Sequence, residues 1–243
     1  MAVELSVVIP TYNEKDNIRP LLDKIDEALQ GIIWEAIFVD DDSPDGTSEF
    51  IRQISQSDPR VRCLQRIGRR GLSSACIEGM LASSAPYLAV MDADLQHDAA
   101  LLRKMIETLR TGMFDLVVGS RYVEGGNVGQ WSSQRVMMSR FATWLGRLVV
   151  RADLKDPMSG YFMLKRSFFN QVVRRLSGRG FKILLDIYAS STREIRFKEL
   201  PFQFGQRLSG ESKLNQAVLY EHVMLIISKL PGRLFNQQRK AGA

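Results

Sequence analysis

Short apolar runs and amphipathic stretches take turns along the first half of the chain. Leu5 to Pro10 (Leu-Ser-Val-Val-Ile-Pro) is a β-branched run closed by proline and predicts a buried strand. Asn17 to Gln30 puts Ile18, Leu21, Leu22, Ile25 and Leu29 on one helical face. Trp34 to Val39 predicts a second strand, and Phe50 and Ile54 anchor a helix after it. A brief third strand follows at Val61 to Leu64, then a helix from Gly71 to Ser84 carrying Ala75, Ile77, Met80 and Leu81. Tyr87 to Met91 predicts a fourth strand, Ala99 to Leu109 a helix and Asp115 to Gly119 a fifth strand. Strict strand–helix alternation of this kind predicts an α/β fold, a mostly parallel central sheet flanked by helices on both faces.

Beyond Gly125-Gly126 the pattern changes. Trp131 to Ala152 sorts Met137, Phe141, Trp144, Leu145, Leu148 and Val149 onto one helical arc, bordered by Arg140, Arg147 and Arg151. A wide apolar stripe with tryptophan and flanking arginines suits a helix at a membrane interface, or equally one packed on the sheet. Gln216 to Leu230, followed by Arg233, is a second such stretch. The expected organisation is a catalytic domain over 1–214 with the amphipathic helix 131–152 inside it, then a membrane-proximal extension over 215–243. Val218 to Leu230 is interrupted by Glu221, His222 and Lys229, and nothing reaches the length of a membrane-spanning helix. Met1 to Pro10 runs directly into a strand pattern, so no signal peptide is expected there.

Charge divides the chain. Residues 1–130 hold 13 Lys/Arg against 20 Asp/Glu, whereas residues 131–243 hold 20 against 7. An acidic front suits metal and nucleotide chemistry; a basic rear suits an anionic partner. Two cysteines, Cys63 and Cys76, give neither a disulfide framework nor metal-ligand spacing, which fits a reducing compartment.

The chemistry gathers at predicted strand ends, the edge where open α/β sheets bind ligands. Tyr87 to Met91 runs straight into Asp92-Ala93-Asp94-Leu95-Gln96-His97-Asp98. Asp92, Asp94 and Gln96 offer oxygens that suit a hard divalent cation, Mg²⁺ or Mn²⁺; the same acids could equally serve as helix caps. Past the first strand, Pro10-Thr11-Tyr12-Asn13-Glu14 supplies an aromatic face and a carboxylate, the parts that hold a nucleoside. Past the second, Asp41 is placed to accept ribose hydroxyls, while Ser43 and Asp45 read as turn chemistry. No G-x-G-x-x-G follows strand one and no G-x-x-x-x-G-K-[ST] exists, which removes the usual dinucleotide folds and P-loop enzymes.

Taken in order, V-I-P-T-Y-N-E, D-D-D-S-P-D-G-T, M-D-A-D-L-Q-H-D, G-S-R-Y, D-P-M-S-G-Y and R-L-S-G-E-S-K-L resemble the family 2 glycosyltransferases of GT-A fold. The likeness runs from about Leu5 to Leu214 and is to the branch of dolichol-phosphate mannose synthases and bacterial polyprenol-phosphate hexosyltransferases. It implies an inverting transfer of a hexose, mannose from GDP-mannose, onto a dolichyl or polyprenyl phosphate, with a divalent cation. By that resemblance Pro10, Tyr12, Glu14, Val39 and Asp41 contact the nucleoside. Asp92, Ala93, Asp94 and Gln96 face the metal and diphosphate, with Asp92, Asp94 and Gln96 as metal ligands. Arg207 and Lys213 close over the donor diphosphate, and Arg121, Arg135 and Ser139 receive the acceptor phosphate. Asp94 and Arg121 carry most of the catalysis. The implied partners are the nucleotide-diphospho-sugar donor, the lipid phosphate and an anionic membrane surface, with no nucleic acid. The implied location is the cytoplasmic face of the membrane, as a peripheral enzyme or the soluble part of a longer membrane protein.

A phosphate acceptor with a second pKa of ~6 arrives ionised and needs arginines rather than a base. A hydroxyl acceptor would need one, and Asp186 is the residue to suspect in that case. His97 reads as a solvated first-turn histidine and His222 as incidental. The rival readings are a relative using UDP-glucose or a hydroxyl acceptor, a nucleotide-binding membrane module without turnover, and RNA binding by the basic half.

Overall fold

The computed structural model describes residues 2–127 and 153–205. Its centre is a seven-stranded sheet. In chain order the strands are β1 (Leu5–Thr11), β2 (Trp34–Asp40), β3 (Val61–Gln65), β4 (Tyr87–Val90), β5 (Leu116–Ser120), β6 (Phe162–Lys165) and β7 (Phe197–Pro201). The helices are α1 (Lys15–Ala28), α2 (Thr47–Ser57), α3 (Leu72–Ala82), α4 (Leu101–Arg110), α5 (Arg166–Val172) and α6 (Ile183–Ser190). Every strand and helix expected in residues 5–120 is present, its ends displaced by a few residues at most. The expected helix over 131–152 and the extension over 215–243 lie outside the described residues.

Side-chain alternation along β1 sorts the core into two faces. Leu5, Val7 and Ile9 pack with α1, α2 and α4, whereas Val8 packs with α3, α5 and α6. α3 can lie close to the sheet because position 79 is glycine. A Cβ there would stand 2.4 Å from Val8 Cγ1 and 2.9 Å from Val39 Cγ2, closer than any real contact.

The strand order β3-β2-β1-β4-β6-β5-β7 departs from a simple parallel series at one place. β6 is antiparallel to both β4 and β5 and separates them, with Phe162 opposite Val90 on one side and Val118 on the other. An antiparallel strand begins at the edge where its parallel neighbours end. The loop before β6, residues 156–161, is therefore delivered to the carboxyl ends of β4 and β5. The order also reverses at β1, which has β2 on one side and β4 on the other. Such a switch point opens a crevice at the strand ends.

At the opposite edge, Asp115 ties β5 to the turn before β7. Arg196 and Arg193 hold its carboxylate at 2.9 and 2.8 Å. Burial acts to raise its pKa, but hydrogen bonds from Arg196 and Arg193 outweigh burial and hold it well below the usual carboxylate range. A depressed folded-state pKa adds stability that is whole above the unfolded value of ~3.9 and is lost as pH falls through the folded value. The melting deficit of Asp115→Asn should be full at neutral pH and shrink below about pH 4. Equal deficits in neutral and acidic buffer would contradict that linkage.

Candidate active site

The β1–α1 and β2–α2 loops are stitched together by side chains that accept backbone N–H groups. Ser43 Oγ accepts the Asn13 N–H (3.0 Å), Thr47 Oγ1 that of Glu14 (3.1 Å) and Asp45 Oδ2 that of Lys15 (3.2 Å). Ser43 and Asp45 are structural, as turn chemistry suggested. Pro10 and Val39 are register partners across β1 and β2, and the Asp41 N–H reaches Thr11 O at 3.0 Å. The structure thus brings Pro10, Tyr12, Glu14, Val39 and Asp41 together at one end of the crevice. Asp41 is buried there. Its Oδ2 accepts the Gly71 N–H at 2.7 Å, and Arg66 Nε stands 2.8 Å from Oδ1 as a charge pair rather than an aligned hydrogen bond. Burial raises the Asp41 pKa, partly offset by Gly71 and Arg66. The Arg70 guanidinium lies 4.2 Å from the centroid of the Tyr12 ring. That contact covers one face of the ring.

The acid cluster sits one strand over. β4 ends at Val90; the Met91 N–H still reaches Val8 O at 3.2 Å, after which the chain turns back on itself. Asp94 Oδ1 accepts the Gln96 N–H (3.1 Å), and Leu95 adopts a left-handed conformation with φ 62°. Asp94 and Gln96 are buried, and the Asp92 side chain is 38% exposed. Gln96 Nε2 donates to Gly205 O at 3.1 Å, while the Gly205 N–H donates to Gln96 O at 2.9 Å. With its NH₂ anchored there, the amide oxygen is the group Gln96 has left to offer. Asp92, Asp94 and Gln96 each carry side-chain oxygens, the donor type a hard cation takes. Among the described residues no three His, Cys, Asp or Glu side chains converge as a metal cluster. A metal here would share its coordination with the donor's phosphates.

Arg121, just past β5, is buried on Asp156, the acid of the D-P-M-S-G-Y segment, whose role its sequence position does not reveal. Asp156 takes Arg121 Nε and Nη2 in a bidentate pair, both at 2.8 Å, and the Arg121 N–H at 3.1 Å. Glu199 of β7 accepts the N–H groups of Lys155 (2.8 Å) and Asp156 (3.0 Å) and so fixes that loop. Ser159 Oγ donates to Gly119 O at 2.7 Å. At Gly160 a Cβ would stand 3.3 Å from Asp92 Oδ2, so the backbone passes close beneath that carboxylate. Lys182, at the start of α6, is a second cation that was missed. Burial and the nearby Arg121 guanidinium lower its pKa to about 8, opposed by Asp92 and Asp156.

Two sequence expectations change. Asp186, suspected as a base, is fully buried and accepts the Ser177 N–H and Oγ (both 2.7 Å) and the Ser190 Oγ (3.2 Å). It ties the 177 turn to α6. His97 is not solvated: it is 5% exposed, because Tyr161, Phe202 and Phe204 close around its ring. Arg135, Ser139, Arg207 and Lys213 lie outside the described residues.

The chain is similar to known proteins over most of its length. A family model described as Glycosyl transferase family 2 matches residues 6–173. A dolichol-phosphate mannosyltransferase of Pyrococcus furiosus is 42% identical over 91% of this chain and 62% of its own length. The Saccharomyces cerevisiae protein of the same name is 36% identical over 92% of this chain and 85% of its own length. The chain thus spans less than two thirds of the archaeal relative. Among solved structures, glucosyl-3-phosphoglycerate synthase of Mycobacterium tuberculosis, in complex with Mn²⁺, UDP-glucose and phosphoglyceric acid, superposes with a TM-score of 0.70. It is 18% identical, over 93% of this chain and 79% of that one. The mannosyltransferase PcManGT of Pyrobaculum calidifontis, in complex with GDP-Man and Mn²⁺, gives 0.63 at 16% identity, over 94% and 65%. At those identities the likeness is one of fold. With a family model that spans β1 to α5 and relatives well above 30% identity across nine-tenths of its length, the chain belongs to glycosyl transferase family 2 and has the GT-A fold.

Proposed function

We propose that the chain transfers mannose from GDP-mannose to a dolichyl or polyprenyl phosphate in a single displacement with inversion. The observation that carries this reading is the pairing, at one sheet edge, of an oxygen-donor loop (Asp92, Asp94, Gln96) with a buried guanidinium held by Asp156. The names of the relatives support the substrates. The loops bearing Pro10, Tyr12, Glu14, Val39 and Asp41 would hold the nucleoside, and Asp92, Ala93, Asp94 and Gln96 would face the diphosphate. Mg²⁺ or Mn²⁺, when bound by Asp92, Asp94 and Gln96, would neutralise charge that develops on the departing nucleoside diphosphate.

Arg121, with Arg135 and Ser139, would place the acceptor phosphate. Arg207 and Lys213 would cover the donor diphosphate. One phosphate oxygen attacks the anomeric carbon as its bond to the diphosphate oxygen breaks. The acceptor is already ionised near neutral pH, so no side chain has to take a proton. The burial of Asp186 accords with that, since the residue suspected as a base is spent on Ser177 and Ser190.

The amphipathic stretches 131–152 and 216–230 would rest on an anionic membrane at its cytoplasmic face. No helix among the described residues is long and apolar enough to cross one.

Radiolabelled GDP-mannose incubated with the full chain, polyprenyl phosphate and Mn²⁺ should give a lipid-extractable β-mannosyl phosphate. Chelation with EDTA should abolish it and added Mn²⁺ restore it. Label transferred from UDP-glucose alone would favour the alternative donor, and label passing only to a hydroxyl acceptor would overturn the reading.

A further inference from the structure

The loop that carries the candidate metal ligands is closed by a residue to which nothing above gives a role in the reaction. Where β4 ends, the Met91 N–H makes the last bond to β1, and the next N–H, that of Asp92, is donated to His97 Nδ1 at 3.1 Å. An Nδ1 that accepts leaves Nε2 as the ring nitrogen that carries an N–H. Nε2 stands 3.8 Å from Asp92 Oδ2, near the carboxylate but too far for a hydrogen bond. One side chain therefore contacts both the backbone and the carboxylate side of Asp92.

The ring itself is locked. It stacks on Tyr161 (centroids 4.8 Å apart, planes 10° apart) and meets the edges of Phe202 at 5.6 Å and Phe204 at 6.0 Å. Tyr161 in turn donates its hydroxyl to Asp98 O at 2.8 Å, which fixes the backbone just after His97. Any flat ring would fill that slot. Only one with an acceptor at the Nδ1 position satisfies the part-buried Asp92 N–H, which would otherwise lose its side-chain acceptor.

We propose that His97 is a positioning residue for the metal loop, closing residues 92–97 into a ring and fixing where the Asp92 carboxylate stands. This rests on Asp92 being a metal ligand, as in the proposed function. Groups that orient ligands in this way typically change metal affinity ~10–100-fold when removed.

The test is Mn²⁺ affinity, followed by electron paramagnetic resonance with GDP in excess, alongside the melting temperature of each variant. His97→Phe keeps the ring and its stack but removes the acceptor, and should weaken Mn²⁺ binding ~10–100-fold. His97→Asn loses more packing yet places an oxygen near Nδ1, and should recover most of the affinity while melting lower than His97→Phe. His97→Gln, whose oxygen falls nearer Nε2, should not recover it. Wild-type affinity in His97→Phe would overturn the proposal, as would affinities that follow melting temperature across the three variants. If the wild-type chain itself binds no Mn²⁺, the assignment of Asp92 and Asp94 as ligands fails first, and this inference with it.

Discussion

Asp94→Ala is expected to lower turnover by ~10³-fold or more, about 4 kcal/mol of barrier, with the fold intact. The two halves of that expectation have different origins. Structurally, Asp94 Oδ1 accepts the Gln96 N–H, and a hydrogen bond to a charged group contributes about 1.5–3 kcal/mol. Chemically it is one of only two carboxylates in the proposed ligand set, and its removal takes away both a metal bond and a charge. Asp94→Asn separates the effects, because the amide oxygen can still accept the Gln96 N–H while the charge is gone. It should melt like the wild type and remain nearly inactive. Near-normal turnover of either variant in saturating Mn²⁺ would remove Asp94 from the mechanism.

The first half of the fold was legible because each element there carries its own signal. Strands in a sheet covered on both faces are continuous apolar runs, and their helices have a 3.6-residue stripe. Residues 153–205 carry weaker signals. β6 is four residues, Phe162–Lys165, and lies between strands far earlier in the chain. β7 is an edge strand whose Phe-Lys-Glu-Leu-Pro reads as a loop until β5 pairs with it. The site divides the same way. Asp92, Asp94, Asp41 and Tyr12 follow directly from strands and could be placed by position alone. Asp156 could not, since its value lies in an antiparallel strand that returns it to Arg121, 35 residues earlier. Nor could His97. A histidine after two aspartates reads as solvated, and only rings from Tyr161, Phe202 and Phe204 enclose it.

Asp156→Ala should be the most destabilising single change at the site, by about 3–5 kcal/mol. The reason is the partner left behind. The Arg121 side chain is 9% exposed and that of Asp156 fully buried, so the guanidinium would lose both charge-assisted bonds with no water to replace them. In a chain of this size such a loss lowers the melting temperature by on the order of 10 °C. Arg121→Ala strands the opposite charge, and its kinetic signature should be a larger rise in the acceptor requirement than in the donor requirement. A cycle then separates fold from function. Adding Arg121→Met to Asp156→Ala removes the stranded cation and refills its volume, so the double variant should melt above Asp156→Ala while transferring no sugar. If instead the double variant recovers activity together with stability, Arg121 and Asp156 are a buried brace under the loop, and the acceptor phosphate must be held elsewhere.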